Sequence, residues 1–278
     1  MSKSALGQPP PKTVASTSAR IPRADVEEGR TSMTPSLEGL TCLVTGGGRG
    51  IGRAGALSLA RAGAAVAVAA RTADQVESVA RAIRNEGGRA IAISADVTVA
   101  DQVAAMVART VDEFGGLHVL LCNAGGGLTS GRLVDSAPDD WERTIALNLT
   151  SVFHCAQAAL PQMAAQGMGK IIVIGSGTGH VAGAGGSAYA AAKAGVAHLV
   201  RVLAKEVWRH GVDVNEIVPG PVATDLTRDD FRLGEVPALS KTERVKHPDE
   251  VAELIVWLAG RPVEGPTGQT FSLARRPL

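Results

Sequence analysis

Short apolar runs without polar alternation recur along the chain from residue 40 onward. They occupy residues 40–45, 64–70, 89–94, 117–122, 170–175, 212–218 and 269–273. Stretches with helical periodicity alternate with these runs, at residues 51–62, 73–87, 99–114, 139–166, 187–210 and 248–260. Strands that are apolar on both faces are typical of a parallel sheet covered by helices on both sides. The alternation therefore predicts a single-domain, doubly wound α/β fold with a parallel sheet of about seven strands.

The beginning of the chain follows a different pattern. Residues 1–37 are rich in Ser, Pro, Thr and Arg and show almost no apolar periodicity. Such a segment cannot bury enough apolar surface to offset its ordering entropy, so we predict a disordered extension before a domain that spans residues 38–278. The apolar core of a signal peptide is absent, and the acidic residues argue against a transit peptide. A linker from a fused upstream domain and an extension ahead of an alternative start at Met33 are the other interpretations.

Composition and charge narrow the range of functions. Hydrophobic residues make up 45% of the chain and charged residues 20%, with a formal net charge of +1. This balance is typical of a soluble globular protein and does not favour nucleic acid or an anionic membrane as a partner. No uncharged apolar run approaches the ~18 residues of a membrane-spanning helix. Cys42, Cys122 and Cys155 lie far apart without metal-ligand spacing, so we expect no metal site but buried free thiols, as in a reducing cytoplasm.

The sequence TGGGRGIG joins the first predicted strand to the first predicted helix. Gly46, Gly50 and Gly52 allow a tight turn, a close approach of the backbone to a pyrophosphate, and close packing of the helix. The free N–H groups and the dipole at the helix N-terminus favour a bound phosphate. A lone glycine-rich turn is a weak signal, but its position between a strand and a helix predicts a Rossmann-type dinucleotide site.

The end of the second predicted strand indicates which nicotinamide cofactor the site prefers. A free ribose 2′-hydroxyl favours an acidic residue at this place, but the chain has Ala70 there, followed by Arg71. Arg49 projects from the glycine-rich loop, and guanidinium groups make bidentate contacts to phosphate. Two arginines without a carboxylate therefore predict NADP(H); the alternative is two ordinary surface arginines.

Tyr189 is the only tyrosine of a chain that has just 3 Trp and 4 Phe. Lys193 follows four residues later, with only alanines between them. Four residues are about one helical turn, so the two side chains lie on the same face of a helix. An arbitrary pair of this kind indicates a solvated polar edge, whereas the surrounding motifs favour a functional pair.

Seven short motifs occur in order along the chain: TGGGRGIG (45–52), ADV (95–97), CNAG (122–125), NLTS (148–151), GS (175–176), YAAAK (189–193) and PGPVAT (219–224). In order and spacing they resemble those of the short-chain dehydrogenase/reductase family, from Leu40 to Leu273. The resemblance implies that the adenine lies beside Asp96 and Val97 and that PGPVAT closes over the nicotinamide. The cofactor-binding residues expected from the glycine-rich loop, the two arginines and these motifs are Thr45, Gly46, Gly48, Arg49, Gly50, Ile51, Gly52, Arg71, Asp96, Val97, Asn123, Ala124, Gly125, Tyr189, Lys193, Pro219, Gly220, Val222 and Thr224.

The resemblance also implies four catalytic residues. Tyr189 is the general acid/base, while Lys193 favours its phenolate and binds the nicotinamide ribose. Ser176 holds the substrate oxygen with its hydroxyl group. Asn148 anchors a water molecule and relays protons from Lys193. His180, near the serine, is close enough in sequence to touch the substrate, but we interpret it as a loop histidine that points at water.

Substrate specificity in this family lies in loops, here 126–136, 177–186 and a lid at 225–245. The loop 177–186 is rich in glycine and alanine, which leaves room for a bulky, flat substrate. The chain resembles β-ketoacyl-carrier-protein reductases and the ketoreductases that tailor aromatic polyketides such as angucyclines, and its Arg- and Ala-rich character favours the second. A 3-oxoacyl-carrier-protein reductase or a general alcohol dehydrogenase is the alternative. Relatives that act as NADP-sensing regulators usually lack the tyrosine or the lysine that this chain retains.

Two predicted helices carry more apolar residues than one face of a sheet can cover. These residues are Ile145, Leu149, Phe153 and Leu160 on the first helix, and Val196, Leu199, Val200, Leu203 and Val207 on the second. One stripe on each helix packs on the sheet, and a second stripe is left facing water. The resemblance implies a four-helix dimer interface, and we predict a homotetramer, with a dimer as the fallback because the ARRPL end departs from the Asp-Gly-Gly turn of many relatives.

Overall fold

A sheet of seven parallel strands is the centre of the fold in the computed structural model, which describes residues 35–127, 131–225, 227, 231–235, 243–275 and 278. The strands are β1 (Thr41–Thr45), β2 (Ala65–Ala70), β3 (Ala90–Ser94), β4 (Val119–Cys122), β5 (Gly169–Ile174), β6 (Val212–Val218) and β7 (Thr270–Ser272). They lie in the order β3-β2-β1-β4-β5-β6-β7. The strand order reverses between β1 and β4, and the crevice outside the carboxyl ends of such strands is where doubly wound proteins bind ligands.

Helices cover both faces of this sheet. The helices are α1 (Gly50–Arg61), α2 (Ala73–Asn85), α3 (Ala100–Phe114), α4 (Pro138–Ile145), α5 (Ser151–Ala165), α6 (Ser187–Val207) and α7 (Pro248–Ala259). The apolar sides of α1, α2 and α7 form one core with the sheet, and those of α3, α5 and α6 form the other. None of the described helices is long and apolar enough to cross a membrane. The predicted fold class, a doubly wound α/β fold with a parallel sheet of seven strands, is confirmed.

The central strands explain why the apolar runs lack polar alternation. Every residue of β1, β5 and β6 is buried, because helices lie on both sides of these strands. Strand β6 nevertheless carries three polar residues, each of which has a partner. Asp213 pairs with the buried Lys170, and the Asn215 side chain accepts a hydrogen bond from the Gln269 amide at 3.1 Å. Glu216 is the third, and it lies beside the candidate site.

The long helix predicted at residues 139–166 is interrupted. Helix α4 ends at Ile145, a π-type turn spans Ala146–Thr150, and α5 begins at Ser151. Within this turn the side-chain nitrogen of Asn148 donates a hydrogen bond to the Thr144 carbonyl at 3.0 Å. The apolar spacing continues through this turn, which is why the sequence predicted a single helix.

The start of the folded domain differs from the predicted boundary after residue 37. Leu37 is fully buried, and its amide donates a hydrogen bond to the Ala62 carbonyl at 2.7 Å. Pro35 packs so closely on Gly260, at the end of α7, that a side chain at that glycine would clash with the proline ring. Residues 35–37 therefore belong to the domain, because Leu37 completes the core beneath α1 and α7. Residues 1–34 lie outside the described part of the chain, and their disorder stays a prediction.

The two apolar stripes predicted on the helices after residue 138 are both present. On α6, Val196 and Val200 are buried against the sheet, whereas Leu199 is only partly buried. On α5, Phe153 points outward with 47% of its surface exposed, and the neighbouring Leu149 is partly exposed. The second stripe is therefore free in the single chain, and the oligomer that it predicts stays a prediction.

Candidate active site

A cleft of about 790 Å³ lies along the carboxyl ends of the strands. Its walls are the glycine-rich loop after β1, the segments after β2 to β6, and the first two turns of α6. Most of the predicted site residues line it: Gly46, Gly48, Arg49, Gly50, Ile51, Arg71, Asp96, Val97, Asn123, Ala124, Gly125, Ser176, Tyr189, Lys193, Pro219, Gly220, Val222 and Thr224. Motifs that are up to 178 residues apart in the sequence therefore meet in one cleft.

Thr45 and Gly52, which were predicted to bind the cofactor, lie behind the wall of the cleft instead of lining it. The Thr45 hydroxyl accepts hydrogen bonds from the amides of Asn123 and Ala124, at 3.0 and 3.2 Å. A Cβ at Gly52 would overlap the Gly46 carbonyl and lie 2.5 Å from the side-chain nitrogen (Nδ2) of Asn123. Both residues therefore fix the segment after β4 against the glycine-rich loop, because that contact leaves no room for larger groups.

The glycine-rich loop presents an uncapped helix end to the cleft. Gly46 and Gly50 have φ angles of 62° and 53°, in the left-handed region that glycine adopts without strain. Helix α1 begins at Gly50 with no side-chain cap at Arg49 and no acidic residue in its first turn. Its first N–H groups are thus left for an anion, and the helix dipole favours negative charge there. This geometry fits the pyrophosphate of a dinucleotide.

The far end of the cleft carries positive charge and one ionised carboxylate. Strand β2 ends at Ala70, and the exposed Arg71 and Arg49 line the cleft beside it. Burial opposes ionisation of Asp96, but hydrogen bonds from the Thr98 amide and hydroxyl, at 2.9 and 2.7 Å, and the charge of Arg71 lower the pKa of this carboxyl below its usual range. The Asp96 carboxylate therefore accepts its hydrogen bonds within the turn after β3, and β2 ends in Ala70 and Arg71 without an acidic residue at that place.

Segment 219–224 forms the opposite rim of the cleft. The backbone of Lys246 brackets it, with the Lys246 amide donating to the Pro221 carbonyl at 3.0 Å and the Ala223 amide donating to the Lys246 carbonyl at 2.9 Å. Thr224 approaches the glycine-rich loop, since a Cβ at Gly50 would lie 3.2 Å from its methyl group. The rim and the loop therefore face each other closely. Of the predicted lid 225–245, residues 226, 228–230 and 236–242 lie outside the described residues.

Tyr189 and Lys193 lie in the first two turns of α6, as the sequence predicted. The helix follows Gly185 and Gly186, which have φ angles of 86° and 61° and turn the chain sharply into the cleft. The Lys193 ammonium lies 5.7 Å from the centre of the Tyr189 ring and donates a hydrogen bond to the Ile174 carbonyl at 2.8 Å. Lys193 is only 5% exposed, so this bond fixes its charge beside the tyrosine.

Ser176 follows β5 and begins a short 3₁₀ turn at Gly177–Gly179. Its hydroxyl accepts a hydrogen bond from the Thr178 amide at 3.3 Å and lies 3.0 Å from the Thr178 hydroxyl. The turn packs on the helix that carries the tyrosine, because a Cβ at Gly179 would lie 2.6 Å from the carbonyl carbon of Lys193. The serine hydroxyl is thereby held on the same side of the cleft as Tyr189.

Asn148 is buried behind the cleft, in the π-type turn. Its side-chain oxygen accepts a hydrogen bond from the Gly126 amide at 3.0 Å, and its nitrogen donates to the Gly126 carbonyl at 2.8 Å. A Cβ at Gly125 would lie 2.8 Å from this oxygen and 3.5 Å from the Lys193 nitrogen, so the glycine lets the two side chains approach each other. Asn148 thus fixes the Gly126 backbone, and its predicted role in a proton relay stays a prediction.

The interpretation of His180 as a histidine that points at water was wrong. Its Nε2 lies 3.0 and 3.2 Å from the two carboxylate oxygens of Glu216, which is completely buried. The Thr270 hydroxyl donates a third hydrogen bond to this carboxylate at 2.7 Å. Sequence reasoning missed Glu216, although a charged residue within the apolar run VDVNEIV was a usable signal.

Two cysteine thiols near the site, those of Cys122 and Cys155, are buried and therefore out of contact with solvent. Cys122, at the end of β4, and Cys155, in α5, are both buried and free, as the sequence predicted. A hydrogen bond between the two thiols and their burial raise the pKa of Cys122 well above its usual range, so it stays protonated. Within the described residues, no group of three or more His, Cys, Asp or Glu side chains is arranged to hold a metal ion.

Comparisons with known proteins agree with this geometry. The model of the short-chain dehydrogenase family matches residues 40–232. Over 243 residues the chain is 40% identical to a 3-oxoacyl-[acyl-carrier-protein] reductase of Synechocystis sp., which covers 86% of this chain and 96% of the relative. It is 41% identical over 220 residues to the cis-4-hydroxycyclohexanecarboxylate dehydrogenase of Sinomonas cyclohexanicum, with 78% of this chain and 88% of the relative covered.

A solved structure supports the same assignment. The crystal structure of a short-chain type dehydrogenase/reductase from Mycobacterium marinum superposes with a TM-score of 0.77 at 35% sequence identity. The match covers 85% of this chain and 94% of the other. The chain therefore belongs to the short-chain dehydrogenase/reductase family and is an oxidoreductase that acts on carbonyl or hydroxyl groups.

Proposed function

We propose that the protein is an NADPH-dependent ketoreductase in which Tyr189 delivers the proton to the substrate carbonyl. The observation that carries this proposal is the meeting of Ser176, Tyr189 and Lys193 at one end of a cleft whose other end fits a dinucleotide. A bound nicotinamide cofactor supplies the hydride that reaches the carbonyl carbon. The chain's own residues bind the cofactor, orient the substrate and protonate its carbonyl oxygen.

Three side chains act on the substrate oxygen or on its proton donor. Negative charge grows on the carbonyl oxygen during reduction, and the hydroxyl groups of Ser176 and Tyr189 stabilise it by donating hydrogen bonds. Tyr189 then transfers its proton to that oxygen. The buried Lys193 ammonium lies 5.7 Å from the centre of the ring, and its positive charge favours the phenolate that remains, because opposite charges attract.

The choice of NADPH rests on the adenosine end of the cleft. Arg49 and Arg71 line this end, and the place after β2 where an acid would bind a ribose 2′-hydroxyl has Ala70. Both guanidinium groups are exposed and make no ion pair among the described residues, so they are available for a 2′-phosphate. The Asp96 carboxylate, whose pKa the charge of Arg71 lowers, already accepts hydrogen bonds from the amide and hydroxyl of Thr98.

For the substrate we propose a polyketide-type ketone, such as an angucycline intermediate. The substrate end of the cleft is lined by small residues, among them Gly125, Gly126, Gly127, Gly177 and Thr178, which leave space for a broad ring system. A relative that is named for a cyclic hydroxy acid supports a cyclic carbonyl group. A second candidate, reduction of a 3-oxoacyl thioester on a carrier protein, is favoured by the name of another relative; a general alcohol dehydrogenase remains the third.

Initial rates of NADPH oxidation with three carbonyl compounds would separate these candidates. We expect turnover of the fused-ring ketones 1-decalone and 1-tetralone, and kcat/KM values for them above that for an acetoacetyl thioester. A thioester preference would replace the polyketide proposal with the carrier-protein reductase. If NADPH were oxidised with none of the three, and secondary alcohols gave no reduction of NADP+, ketone reduction would be refuted and a cofactor-sensing protein would be favoured.

A further inference from the structure

Glu216 is a buried carboxylate that the proposed chemistry does not use. It lies in β6 with 0% exposure, although a buried carboxylate carries a large desolvation penalty unless it is paired. Its partners are the Nε2 of His180 and the hydroxyl of Thr270. Glu216 packs against Gly175, the residue before Ser176, and neither Glu216 nor His180 lines the cleft. The role of Glu216 and His180 must therefore be something other than contact with the substrate.

The carboxylate packs directly against the residue before the serine. A Cβ at Gly175 would clash with one Glu216 oxygen and lie 2.6 Å from its carboxyl carbon. The Gly175 amide also donates a hydrogen bond to the Ile217 carbonyl at 2.8 Å, which locks the two strands together at this point. Glu216 thus fixes the place where the chain enters the turn that carries Ser176.

His180 fixes the place where the same turn ends. The amides of Gly179 and His180 donate to the carbonyls of Ser176 and Gly177, at 3.0 and 3.1 Å, and form a tight turn. The His180 ring folds back beneath this turn to reach both oxygens of Glu216, with only 12% of its side chain exposed. One carboxylate therefore holds both ends of a glycine-rich turn that would otherwise be free to shift.

We propose that Glu216 and His180 are positioning residues that hold the Ser176 hydroxyl where it and the Tyr189 hydroxyl can reach the same substrate oxygen. The inference rests on the proposed ketone reduction, in which Ser176 binds the substrate oxygen. His180 acts as the tautomer with hydrogen on Nε2, so that it donates to the carboxylate. The turn also packs on the backbone of Lys193, so a shift of the turn changes the distance between the serine and the α6 residues. A misplacement of ~1 Å lowers turnover by about 10²-fold.

Two substitutions of His180 test this role by the donor that they keep or remove. His180→Leu leaves Glu216 without the ring donor, and we expect kcat for ketone reduction to fall by about 10- to 100-fold with the KM for NADPH unchanged. His180→Gln keeps an N–H donor at similar reach, and we expect it to retain turnover within about threefold of wild type. Equal losses of kcat in the two variants would overturn the proposal.

A double-mutant cycle separates positioning of the serine from general support of the fold. If His180 acts through Ser176, adding His180→Leu to Ser176→Ala should lower kcat by less than about twofold further. A full additional 10- to 100-fold loss in the Ser176→Ala background would contradict the proposal. Asp213→Asn is the matched control, because it alters the other buried carboxylate of β6, at the opposite end of the strand. It should lower the melting temperature and leave kcat close to wild type.

Amide hydrogen exchange tests the same turn without any substrate. The Val181 amide also bonds into this turn, donating to the Gly177 carbonyl at 2.9 Å. We expect faster exchange of the Gly179 and Val181 amides in His180→Leu than in wild type, and unchanged exchange in Asp213→Asn. Unchanged exchange in His180→Leu would overturn the proposal even if activity fell. If the wild-type protein reduces no ketone, the proposed function fails by that result alone, and the exchange data still decide whether Glu216 and His180 hold the turn.

Discussion

The two halves of the cleft differ in whether backbone groups or side chains form most of the site. The cofactor half, formed by residues 46–51, 70–71 and 96–97, relies on the backbone for the pyrophosphate, through glycines and an uncapped helix end, and adds the side chains of Arg49 and Arg71. The catalytic half, formed by Ser176, Tyr189 and Lys193, relies on side chains: a buried hydrogen bond to the Ile174 carbonyl holds Lys193, and the Thr178 amide donates to the Ser176 hydroxyl. The backbone half needs only small residues at a few positions, whereas the side-chain half needs particular partners from remote strands and helices. Substitutions should therefore affect the two halves separately.

The largest expected effect is confined to the catalytic half. Lys193→Met keeps the volume of the side chain but removes the charge beside Tyr189 and the hydrogen bond to Ile174. We expect kcat for ketone reduction to fall by about 10²–10⁴-fold. Steady-state kinetics on the folded variant checks this, with Lys205→Met on the exposed side of the same helix as control. A loss of less than about tenfold would show that the lysine charge is dispensable.

The next effect should be confined to the cofactor half. Ala70→Asp combined with Arg71→Ala creates the acid that a ribose 2′-hydroxyl favours and removes one candidate phosphate ligand. We expect the ratio of kcat/KM for NADPH to that for NADH to fall by about 10- to 100-fold, with the kcat of the preferred cofactor retained. Arg81→Ala, on the exposed side of α2, is the control. A wild-type enzyme that used both cofactors equally would refute our interpretation of this end of the cleft.

How much the sequence could predict differs between the two halves for the same reason. The glycine-rich loop and the arginines beside it lie in short contiguous segments, so their spacing alone indicated a dinucleotide site. The partners of the catalytic half lie far apart: Glu216 is 36 residues from His180 and 54 from Thr270. Periodicity assigns a strand to the run around Glu216 but cannot tell which loop will fold over it. Periodicity also did not predict the π-type turn at Asn148, whose side chain bonds to Gly126, 22 residues away in the sequence.

The helices of the catalytic half also carry the exposed apolar stripe, so assembly should support that half. We expect light scattering at micromolar concentration to give four times the chain mass of 28.4 kDa. Phe153→Glu places a charge in the stripe and should shift the mass toward smaller species, whereas Ser78→Glu, at an exposed position of α2 on the other face of the sheet, should not. A monomeric wild-type protein would refute the predicted interface, and a stable dimer would limit assembly to these helices.

The smallest effect should come from deletions at the start of the chain. Deletion of residues 1–33 should leave the melting temperature within a few degrees, because the sequence predicts no packed structure there. Deletion of residues 1–37 also removes the buried Leu37. Burial of this side chain contributes about 1.5–3 kcal/mol to the free energy of unfolding, so its loss should lower the melting temperature by about 3–10 °C. Calorimetry on both variants measures the difference. Equal melting temperatures would show that the buried leucine contributes little.

Tyr189→Phe tests the central claim most directly, because it removes one hydroxyl group from the catalytic half and leaves the cofactor half intact. The measurement is NADPH binding by fluorescence titration and single-turnover reduction of a ketone in the same preparation. We predict a Kd for NADPH within about threefold of wild type and a reduction rate lower by about 10²–10⁴-fold, since the proton donor is lost. A variant that reduced the ketone at nearly the wild-type rate would contradict the assignment of Tyr189 as the proton donor.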